Sequence, residues 1–124
     1  MPKILVVDDD SSAGDLFATL LRHYGYTTTA ATSGQDALES LGSVLPDLVI
    51  VDMMMPDMNG LELLTRIRSN ERTAELPVVM LSALDDADWQ AKAADAGASD
   101  YWVKGGFDFG ELEARVRARL PLGA

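Results

Sequence analysis

Apolar and polar residues alternate along this chain in blocks that predict strands and helices in turn. Short apolar runs occupy residues 3–7 (KILVV), 48–51 (LVIV) and 78–81 (VVML), and a further strand is predicted at 99–103 (SDYWV). A continuous apolar run of this length is typical of a strand that is buried on both faces of a parallel sheet. Residues 26–31 (YTTTAA) are rich in threonine and more polar, so they predict a strand at the edge of the sheet.

Between these strands the apolar residues recur at helical spacing. We predict a first helix that is capped by Ser12, with Asp15 as a weak capping partner, and that ends at Gly25. A second helix is capped by Ser33, with Asp36 as its partner, and ends near Gly42. The predicted apolar side of the first helix consists of Leu16, Leu20, Leu21 and Tyr24, and that of the second consists of Ala37, Leu38 and Leu41.

Three more helices follow in the second half of the chain. They are predicted at residues 61–68, at residues 85–96 and after a cap at Asp108. In the last helix, Leu112, Val116 and Leu120 are expected to face inward, whereas Arg115, Arg117 and Arg119 are expected to face water. Five strand–helix units with right-handed crossovers predict an α/β fold with a doubly wound, five-stranded parallel sheet in the order 2-1-3-4-5. Residues 1–124 therefore form one domain, in which the first and third strands lie side by side at the topological switch point.

Composition narrows the classes of function. The chain has 20 acidic residues against 10 lysines and arginines, a net charge of -10, which disfavours direct binding to nucleic acid. It has no cysteine, so disulfides and thiolate metal sites are excluded. No apolar run approaches the roughly 20 residues of a membrane span, and Met1-Pro2-Lys3 leads directly into a strand rather than into a signal peptide. We expect a cytoplasmic protein that is not associated with a membrane.

Polar residues follow four of the five predicted strands. Asp8 and Asp9 follow the first strand, Asp52 the third, Ser82 the fourth and Lys104 the fifth. In an open α/β sheet these ends share one edge, so the five side chains are expected to converge there. Clustered carboxylates repel one another, and either protonation or a bound cation relieves the repulsion. Oxygen ligands without cysteine or histidine favour a hard cation such as Mg²⁺, and a lysine and a hydroxyl beside it suit a phosphoryl group.

Together these motifs resemble those of a known protein family. Over essentially its whole length the chain resembles the receiver (phosphoacceptor) domain of two-component response regulators, which has a flavodoxin-like fold. The matching motifs are Asp8-Asp9 after KILVV, Asp52 in LVIVDMMMPDMNG, Ser82-Ala83 after PVVML and Lys104 in AGASDYWVK. Each motif is weak alone, but together, in the order and spacing of the family, they are highly specific.

The resemblance implies a role for each matching residue in a phosphorelay. Asp52 would be the nucleophile that accepts a phosphoryl group from the phosphohistidine of a sensor histidine kinase or phosphotransfer protein. Mg²⁺ would be bound directly by Asp9, through water by Asp8, and also by Asp52 and the backbone carbonyl of Met54. Lys104 would pair with Asp52 before the transfer and with the phosphoryl group after it.

The resemblance also implies a switch. The hydroxyl of Ser82 would move toward a phosphoryl oxygen, and Tyr101 would turn from exposed to buried in the space that the moving loop vacates. This change would reshape the surface of the fourth helix, the fifth strand and the fifth helix. Such a domain is not an enzyme, since it catalyses only its own phosphoryl transfer and the slow hydrolysis of its own aspartyl phosphate.

The chain departs from the family after Lys104, where most receivers have a proline in a cis peptide bond. Gly105-Gly106-Phe107 stands there instead, so we predict a trans Lys104–Gly105 bond and positive φ at the glycines. Met54 and Leu84 flank the expected pocket and cannot orient an attacking water by hydrogen bonding. We therefore hypothesise slow self-dephosphorylation.

We predict structural rather than functional roles for the other polar residues and the methionines near the motifs. We expect Asp10 to have no part in the site, and we expect Asp57 and Asn59 to shape the turn after Asp52. The methionines of this segment, Met53, Met54, Met55 and Met58, are predicted to pack within the loop, because thioethers do not suit Mg²⁺.

Several interpretations of the whole protein stay open. The chain could be a stand-alone regulator acting on an effector protein, or the N-terminal piece of a longer protein with an output domain. A homodimer through the fourth helix, fifth strand and fifth helix could pair Asp100 with Arg115 across subunits. The main alternative is a degenerate receiver that acts only as a protein-interaction module. A flavodoxin-like electron carrier would need a Ser/Thr/Gly-rich phosphate loop where this chain has DDDSS, and an aspartyl phosphatase would need an acid at Met54.

Overall fold

The computed structural model describes residues 2–56, 58–83, 85–105 and 108–120. Its five strands are all parallel and lie in the order β2-β1-β3-β4-β5, which confirms the predicted topology. The strands are β1 (Lys3–Val7), β2 (Thr27–Ala31), β3 (Leu48–Asp52), β4 (Val78–Ser82) and β5 (Asp100–Val103). The threonine-rich strand β2 lies at one edge, as its polarity predicts.

Five helices alternate with the strands. They are α1 (Ser11–His23), α2 (Gly34–Ser43), α3 (Gly60–Ser69), α4 (Ala87–Asp95) and α5 (Phe109–Arg119). Each of the five begins at a capping side chain, because the first N–H groups of a helix have no partner within it. Among the described residues no helix is both long and apolar enough to cross a bilayer.

Apolar side chains fill a layer on each face of the sheet. One layer packs α2, α3 and α4 against the sheet and includes Ala37, Leu63, Ile67 and Ala93. The other layer packs α1 and α5 against the opposite face and includes Leu21, Trp102, Leu112 and Val116. Strands β3 and β4 are buried along their whole length, because helices cover both of their faces. This double covering is why LVIV and VVML read as unbroken apolar runs.

The register of the strands aligns their carboxyl ends. Val7 pairs with Val51, Asp52 pairs with Leu81, and Ser82 pairs with Val103. The residues that end or follow β1, β3, β4 and β5 therefore lie along one edge of the sheet.

The start of α1 differs from the sequence prediction. The helix begins at Ser11, and the carboxylate of Asp10, not the hydroxyl of Ser12, accepts the N–H groups of Ser12 and Ala13. Asp and Ser are equally good caps, so the sequence pattern placed the cap two residues too late. Asp15 consequently has no capping role.

The apolar side of α1 was also partly misassigned. Gly14, Ala18 and Leu21 are the buried residues, whereas Leu16 is 53% exposed and Tyr24 is 41% exposed. Two residues along a helix correspond to about 200° of rotation, so Leu16 lies almost opposite the buried Ala18. The small residues Gly14 and Ala18 face the sheet instead.

The other helices agree more closely with the prediction. Ser33 caps α2 and Asp108 caps α5, where Asp108 and Glu111 form a reciprocal capping box. Helix α4 is shorter than predicted, because it begins after a cap at Asp86. In α5, Leu112 and Val116 are buried as expected, but Arg115 is half-buried rather than fully facing water.

Candidate functional site

Three carboxylates meet at the carboxyl edge of the sheet. Asp8 and Asp9 follow β1, and Asp52 ends the neighbouring strand β3. One carboxylate oxygen of each lies within 4.8 Å of the others. Asp8 and Asp52 are buried, at 3% and 6% exposure, whereas Asp9 is exposed. The structure thus brings together the three acids that the sequence placed at two separate strand ends.

Asp8 is held by the backbone at the start of α1. Its Oδ1 accepts the N–H of Asp10 at 2.9 Å, and its own N–H donates to the carbonyl of Ala31 at 3.0 Å. Asp10 in turn caps α1 with its side chain. The same two-residue turn therefore fixes both the helix and the orientation of one site carboxylate. Asp10 has a structural role here, which agrees with its exclusion from the predicted site.

Asp52 is held by the loop that follows β3. Its Oδ1 accepts the N–H of Met54 at 3.2 Å. The loop is closed at its base, since the N–H of Gly60 donates to the carbonyl of Met53 at 3.0 Å. The N–H of Met53 also bonds the carbonyl of Leu81 on β4 at 2.9 Å. Backbone bonds to β4 and α3 thus set the position of the loop beside the carboxylate.

Lys104 reaches over the acids from the end of β5. Its Nζ lies 3.5 Å from Oδ2 of Asp52 and 3.8 Å from Oδ2 of Asp8, and about a third of its side chain is exposed. Its backbone N–H donates to the carbonyl of Ser82 at 2.7 Å, so the end of β5 is tied to the end of β4. One ammonium is shared between two buried carboxylates.

The backbone after Lys104 confirms the predicted trans bond and, at Gly105, the predicted positive φ. No cis peptide bond occurs among the described residues, so the Lys104–Gly105 bond is trans. Gly105 has a φ of 80°, in the left-handed region that glycine adopts without steric cost. Gly106 and Phe107 lie outside the described residues. A glycine at position 105 therefore lets the chain turn where the family uses a proline.

The site carries more negative than positive charge. Burial raises the pKa of Asp52, and the charge of Asp8 raises it further, against the lowering effects of the Met54 N–H and Lys104. Two carboxylate charges within 4.8 Å of each other repel by at least about 3 kcal/mol at an effective dielectric constant of about 20. Three acids with one lysine leave an excess of negative charge that a divalent cation would neutralise. Carboxylate oxygens are the donors that Mg²⁺ prefers, so the side chains present fit this ion.

Ser82 and Tyr101 occupy the last strands. Ser82 ends β4 with its side chain fully buried. Tyr101 lies on β5, is half-buried and packs against the core layer under α2, α3 and α4. These positions place Ser82 at the edge that carries the acids and leave part of the Tyr101 ring in contact with solvent. The switching roles of both residues remain predictions.

The methionines after Asp52 divide into two groups. Met53 and Met55 are buried and Met58 is partly buried, as predicted for loop packing. The side chain of Met54 is 55% exposed, so its predicted packing is wrong. Met54 lies between two buried residues, Met53 and Met55, yet its own side chain faces solvent.

The predictions for four other residues, Asn59, Asp57, Leu84 and Asp100, have different outcomes. Asn59 is the cap of α3 and accepts the N–H of Glu62 at 3.0 Å, so it ends the loop as well as shaping it. Asp57 and Leu84 lie outside the described residues. Asp100, which was expected to pair with Arg115 across a dimer, accepts hydrogen bonds within the chain from Arg119 Nε at 3.0 Å and from Trp102 Nε1 at 2.9 Å.

Gly60 is a site residue whose full role the sequence did not reveal. A Cβ atom at Gly60 would lie 2.8 Å from the carbonyl oxygen of Asp52 and 2.9 Å from Cα of Met53. Any larger residue would push the end of β3, which carries the site. The Asn59-Gly60 pair indicated a turn, but only the packing shows that α3 begins in contact with the strand.

Comparisons with known proteins agree with this arrangement. The family model described as response regulator receiver domain matches residues 4–117. The chain is 40% identical over 120 residues to the DNA-binding dual master transcriptional regulator RpaA of Synechocystis, covering 97% of this chain and 49% of RpaA. It is 40% identical over 118 residues to the DNA-binding response regulator MtrA of Mycobacterium tuberculosis, covering 95% of this chain and 50% of MtrA. The chain thus spans about half the length of these curated relatives.

Solved structures show the same fold. The chemotaxis protein CheY4 of Vibrio cholerae matches with a TM-score of 0.91 and 28% identity, covering 97% of this chain and 99% of that one. The response regulator TrrA of Thermotoga maritima, solved in complex with Mg²⁺ and BeF, matches with a TM-score of 0.84 and 34% identity. That match covers 97% of this chain and 100% of TrrA.

Proposed function

The chain belongs to the response regulator receiver domain family, and on that premise we propose that it is a phosphorylation-activated signalling switch with Asp52 as the phosphoacceptor. The observation that carries the proposal is the environment of Asp52. Its carboxylate is buried beside Asp8 and Asp9, oriented by the Met54 N–H and faced by the ammonium of Lys104. The proposed donor is the phosphohistidine of a sensor histidine kinase or phosphotransfer protein.

The proposed transfer is a substitution at phosphorus. A carboxylate oxygen of Asp52 forms a bond to phosphorus while the phosphorus–nitrogen bond of the donor breaks, and the electron pair stays on the imidazole nitrogen. Catalysis of such a step rests on positioning and charge neutralisation rather than on acid–base chemistry. The backbone bond from Met54 and the contact with Lys104 restrict the carboxylate, so the reacting oxygen is oriented before the donor arrives.

The acids around Asp52 suit a divalent cation. Asp8, Asp9, Asp52 and the backbone carbonyl of Met54 would hold Mg²⁺, which when bound neutralises charge on the phosphoryl oxygens. Lys104 adds a single positive charge that can pair with a phosphoryl oxygen after the transfer. The complex of the relative TrrA with Mg²⁺ and BeF supports this choice of ion.

The proposed output is a change in surface shape. The hydroxyl of Ser82 would bond a phosphoryl oxygen, and the half-buried ring of Tyr101 would move inward as the loop after β4 shifts. The reshaped surface of α4, β5 and α5 would then be read by an output domain or effector protein. The names of RpaA and MtrA, both DNA-binding regulators, support an output in transcription. The domain would act on no substrate besides itself, so we do not propose an enzyme.

Incubation with acetyl phosphate and MgCl₂, followed by intact-mass measurement, tests the proposal. The wild type should gain about 80 Da, one phosphoryl group, and should gain nothing when EDTA replaces Mg²⁺. Asp52→Asn should abolish the gain, whereas the control Asp95→Asn, at an exposed residue of α4, should retain it. A wild type that gains no mass would contradict the proposal and favour the alternative of an interaction module.

A further inference from the structure

The first turn of α2 lies directly against the loop that follows Asp52. Gly34 is the first residue of α2 and is buried. A Cβ atom at this position would lie 2.5 Å from Sδ of Met58 and 3.0 Å from its Cβ and Cγ. The Met58 side chain thus occupies the space that any larger residue at position 34 would need. The glycine is required here by close approach and not by backbone conformation.

Backbone hydrogen bonds tie Met58 to described neighbours. Its N–H donates to the carbonyl of Pro56 at 2.7 Å. Two residues later, the N–H of Gly60 donates to the carbonyl of Met53 at 3.0 Å, next to Met54, whose N–H orients Asp52. The thioether end of Met58 can rotate away from position 34, but its Cβ would lie 3.0 Å from a Cβ there. A displacement of the Met58 Cβ moves the backbone that leads through Gly60 to Met53 and Met54.

The junction between the loop and α2 is not densely filled. A cleft of about 290 Å³ that is open to solvent lies there, lined by Ser33, Gly34, Gln35, Pro56 and Met58. Close-packed interiors resist displacement, but a side chain beside open space can shift into it. The thioether of Met58 on Gly34 is therefore a contact that holds the loop where the surroundings would permit another position.

We propose that Gly34 is a positioning residue for the metal site, acting through Met58. By leaving room for the Met58 side chain, Gly34 fixes the loop so that the Met54 backbone is held beside Asp52 and its carbonyl is available to a cation. This inference rests on the proposed function, and it adds α2 to the elements that set metal affinity. Displacement of the first turn of α2 would then weaken metal binding from outside the acidic cluster.

A double-mutant cycle between Gly34 and Met58 tests this coupling. Mg²⁺ affinity is measured by calorimetry on wild type, Gly34→Ala, Met58→Ala and the double variant. In the wild-type background Gly34→Ala should weaken Mg²⁺ binding about 10-fold, the loss typical of a residue that orients metal ligands. In the Met58→Ala background the same substitution should cost less than about 2-fold, because the clash is gone. Equal losses in both backgrounds, or no loss in either, would overturn the proposal.

Gly42→Ala is the matched control. Gly42 lies in the same helix, and no atom lies within 4 Å of the position that its Cβ would occupy. This variant should bind Mg²⁺ as the wild type does. Alanine favours helix over glycine at both sites, so Gly34→Ala is expected to fold. Should it fail to fold, Met58→Ala decides alone: the loop loses its contact, and Mg²⁺ binding should weaken at least about 3-fold.

The NMR signal of the Met54 amide gives a second readout without metal. It should shift in Gly34→Ala and stay in place in Gly42→Ala, and an unmoved signal in Gly34→Ala would count against the proposal. Neither readout involves phosphorylation. A wild type that binds Mg²⁺ but accepts no phosphoryl group would therefore contradict the proposed function and leave this test intact. If the wild type binds no Mg²⁺, the Met54 signal alone decides.

Discussion

Asp52→Asn is expected to raise the thermal stability of the chain when no divalent cation is present. Asp52 is 6% exposed, and one of its carboxylate oxygens lies within 4.8 Å of an oxygen of the equally buried Asp8. Asparagine keeps the size of the side chain and an oxygen that can accept the Met54 N–H, but it carries no charge. The substitution removes a buried charge and a repulsion without opening a cavity.

The size of the effect follows from opposing contributions. Removing the charge relieves the desolvation of the buried carboxylate, which is the largest influence on its pKa, and also the smaller repulsion from Asp8. Against this, the attraction of Lys104 at 3.5 Å is lost and the hydrogen bond from Met54 weakens. The raised pKa of Asp52 indicates that burial outweighs these losses, so we expect asparagine to be favoured by about 1 kcal/mol, a typical gain for a single stabilising substitution. For 124 residues this corresponds to about 4 °C in Tm.

Differential scanning calorimetry in EDTA measures this change directly. Asp52→Asn should melt about 4 °C above the wild type, whereas Asp95→Asn, at an exposed residue of α4, should match the wild type. With MgCl₂ present the wild type should gain more stability than Asp52→Asn, because the variant has lost a ligand. An Asp52→Asn melting temperature at or below that of the wild type in EDTA would show that the contacts with Lys104 and Met54 outweigh the cost of burying the charge, and would refute the reasoning.

Three further predictions concern residues beside the site and Tyr26, whose hydroxyl donates to Glu113 on α5 at 3.3 Å. Gly60→Ala should lower the free energy of unfolding by about 1–3 kcal/mol, because its Cβ would press on the backbone that ends β3. The control Gly42→Ala should leave the free energy of unfolding unreduced, and urea unfolding measures both variants. Burial, and then the charge of a neighbouring glutamate, raise the pKa of Tyr26, so its contribution to stability is full below about pH 10 and is lost as pH rises through the folded-state pKa. Tyr26→Phe should therefore lose less stability than the wild type as pH rises above about 10, and equal losses would exclude this linkage. The double variant Met54→Asn, Leu84→Glu should speed acyl-phosphate decay about 10-fold by orienting water, and unchanged decay would refute the hypothesis of shielding.

The fold was predictable because each strand carries its own local signal. The runs KILVV, LVIV and VVML are unbroken since helices cover both faces of the strands that they form. Residues 27–31 include fewer apolar side chains because, among the described residues, no strand lies beside the outer edge of β2. The polarity of residues 27–31 placed β2 at an edge, whereas the full strand order was taken from the pattern common to flavodoxin-like sheets. The acids of the site were found for the same reason, as each interrupts an apolar run at its end.

Helix boundaries and helix faces were harder to predict. Asp10, Ser11 and Ser12 are all acceptable caps, and only the packed helix shows that Asp10 is used. Leu16 fitted an apolar spacing, but the small residues Gly14 and Ala18 allow closer approach to the sheet and turn Leu16 outward. Local patterns specify that a helix forms, whereas the shape of the neighbouring surface selects the side that it buries.

Contacts between residues distant in the chain left no signal at all. Arg68 donates to the carbonyls of Gly97, Thr73 and Leu76 at 2.7–3.2 Å, joining the end of α3 to two later turns. The fit of Met58 on Gly34 is a second case, across 24 positions of sequence. Neither residue type nor spacing predicts such contacts, because both depend on which surfaces the fold brings together.

The linear pattern of residues specified that buried strands alternate with helices and that polar residues follow the strands, because burial on two faces and a polar residue at a strand end are local features. The tertiary structure alone decided how those ends relate: carboxylate oxygens within 4.8 Å, one ammonium shared by two buried acids, and a loop seated on a glycine of another helix. Such distances arise from the register of neighbouring strands and the packing of helices on them. They are properties of the assembled sheet and of no segment taken by itself.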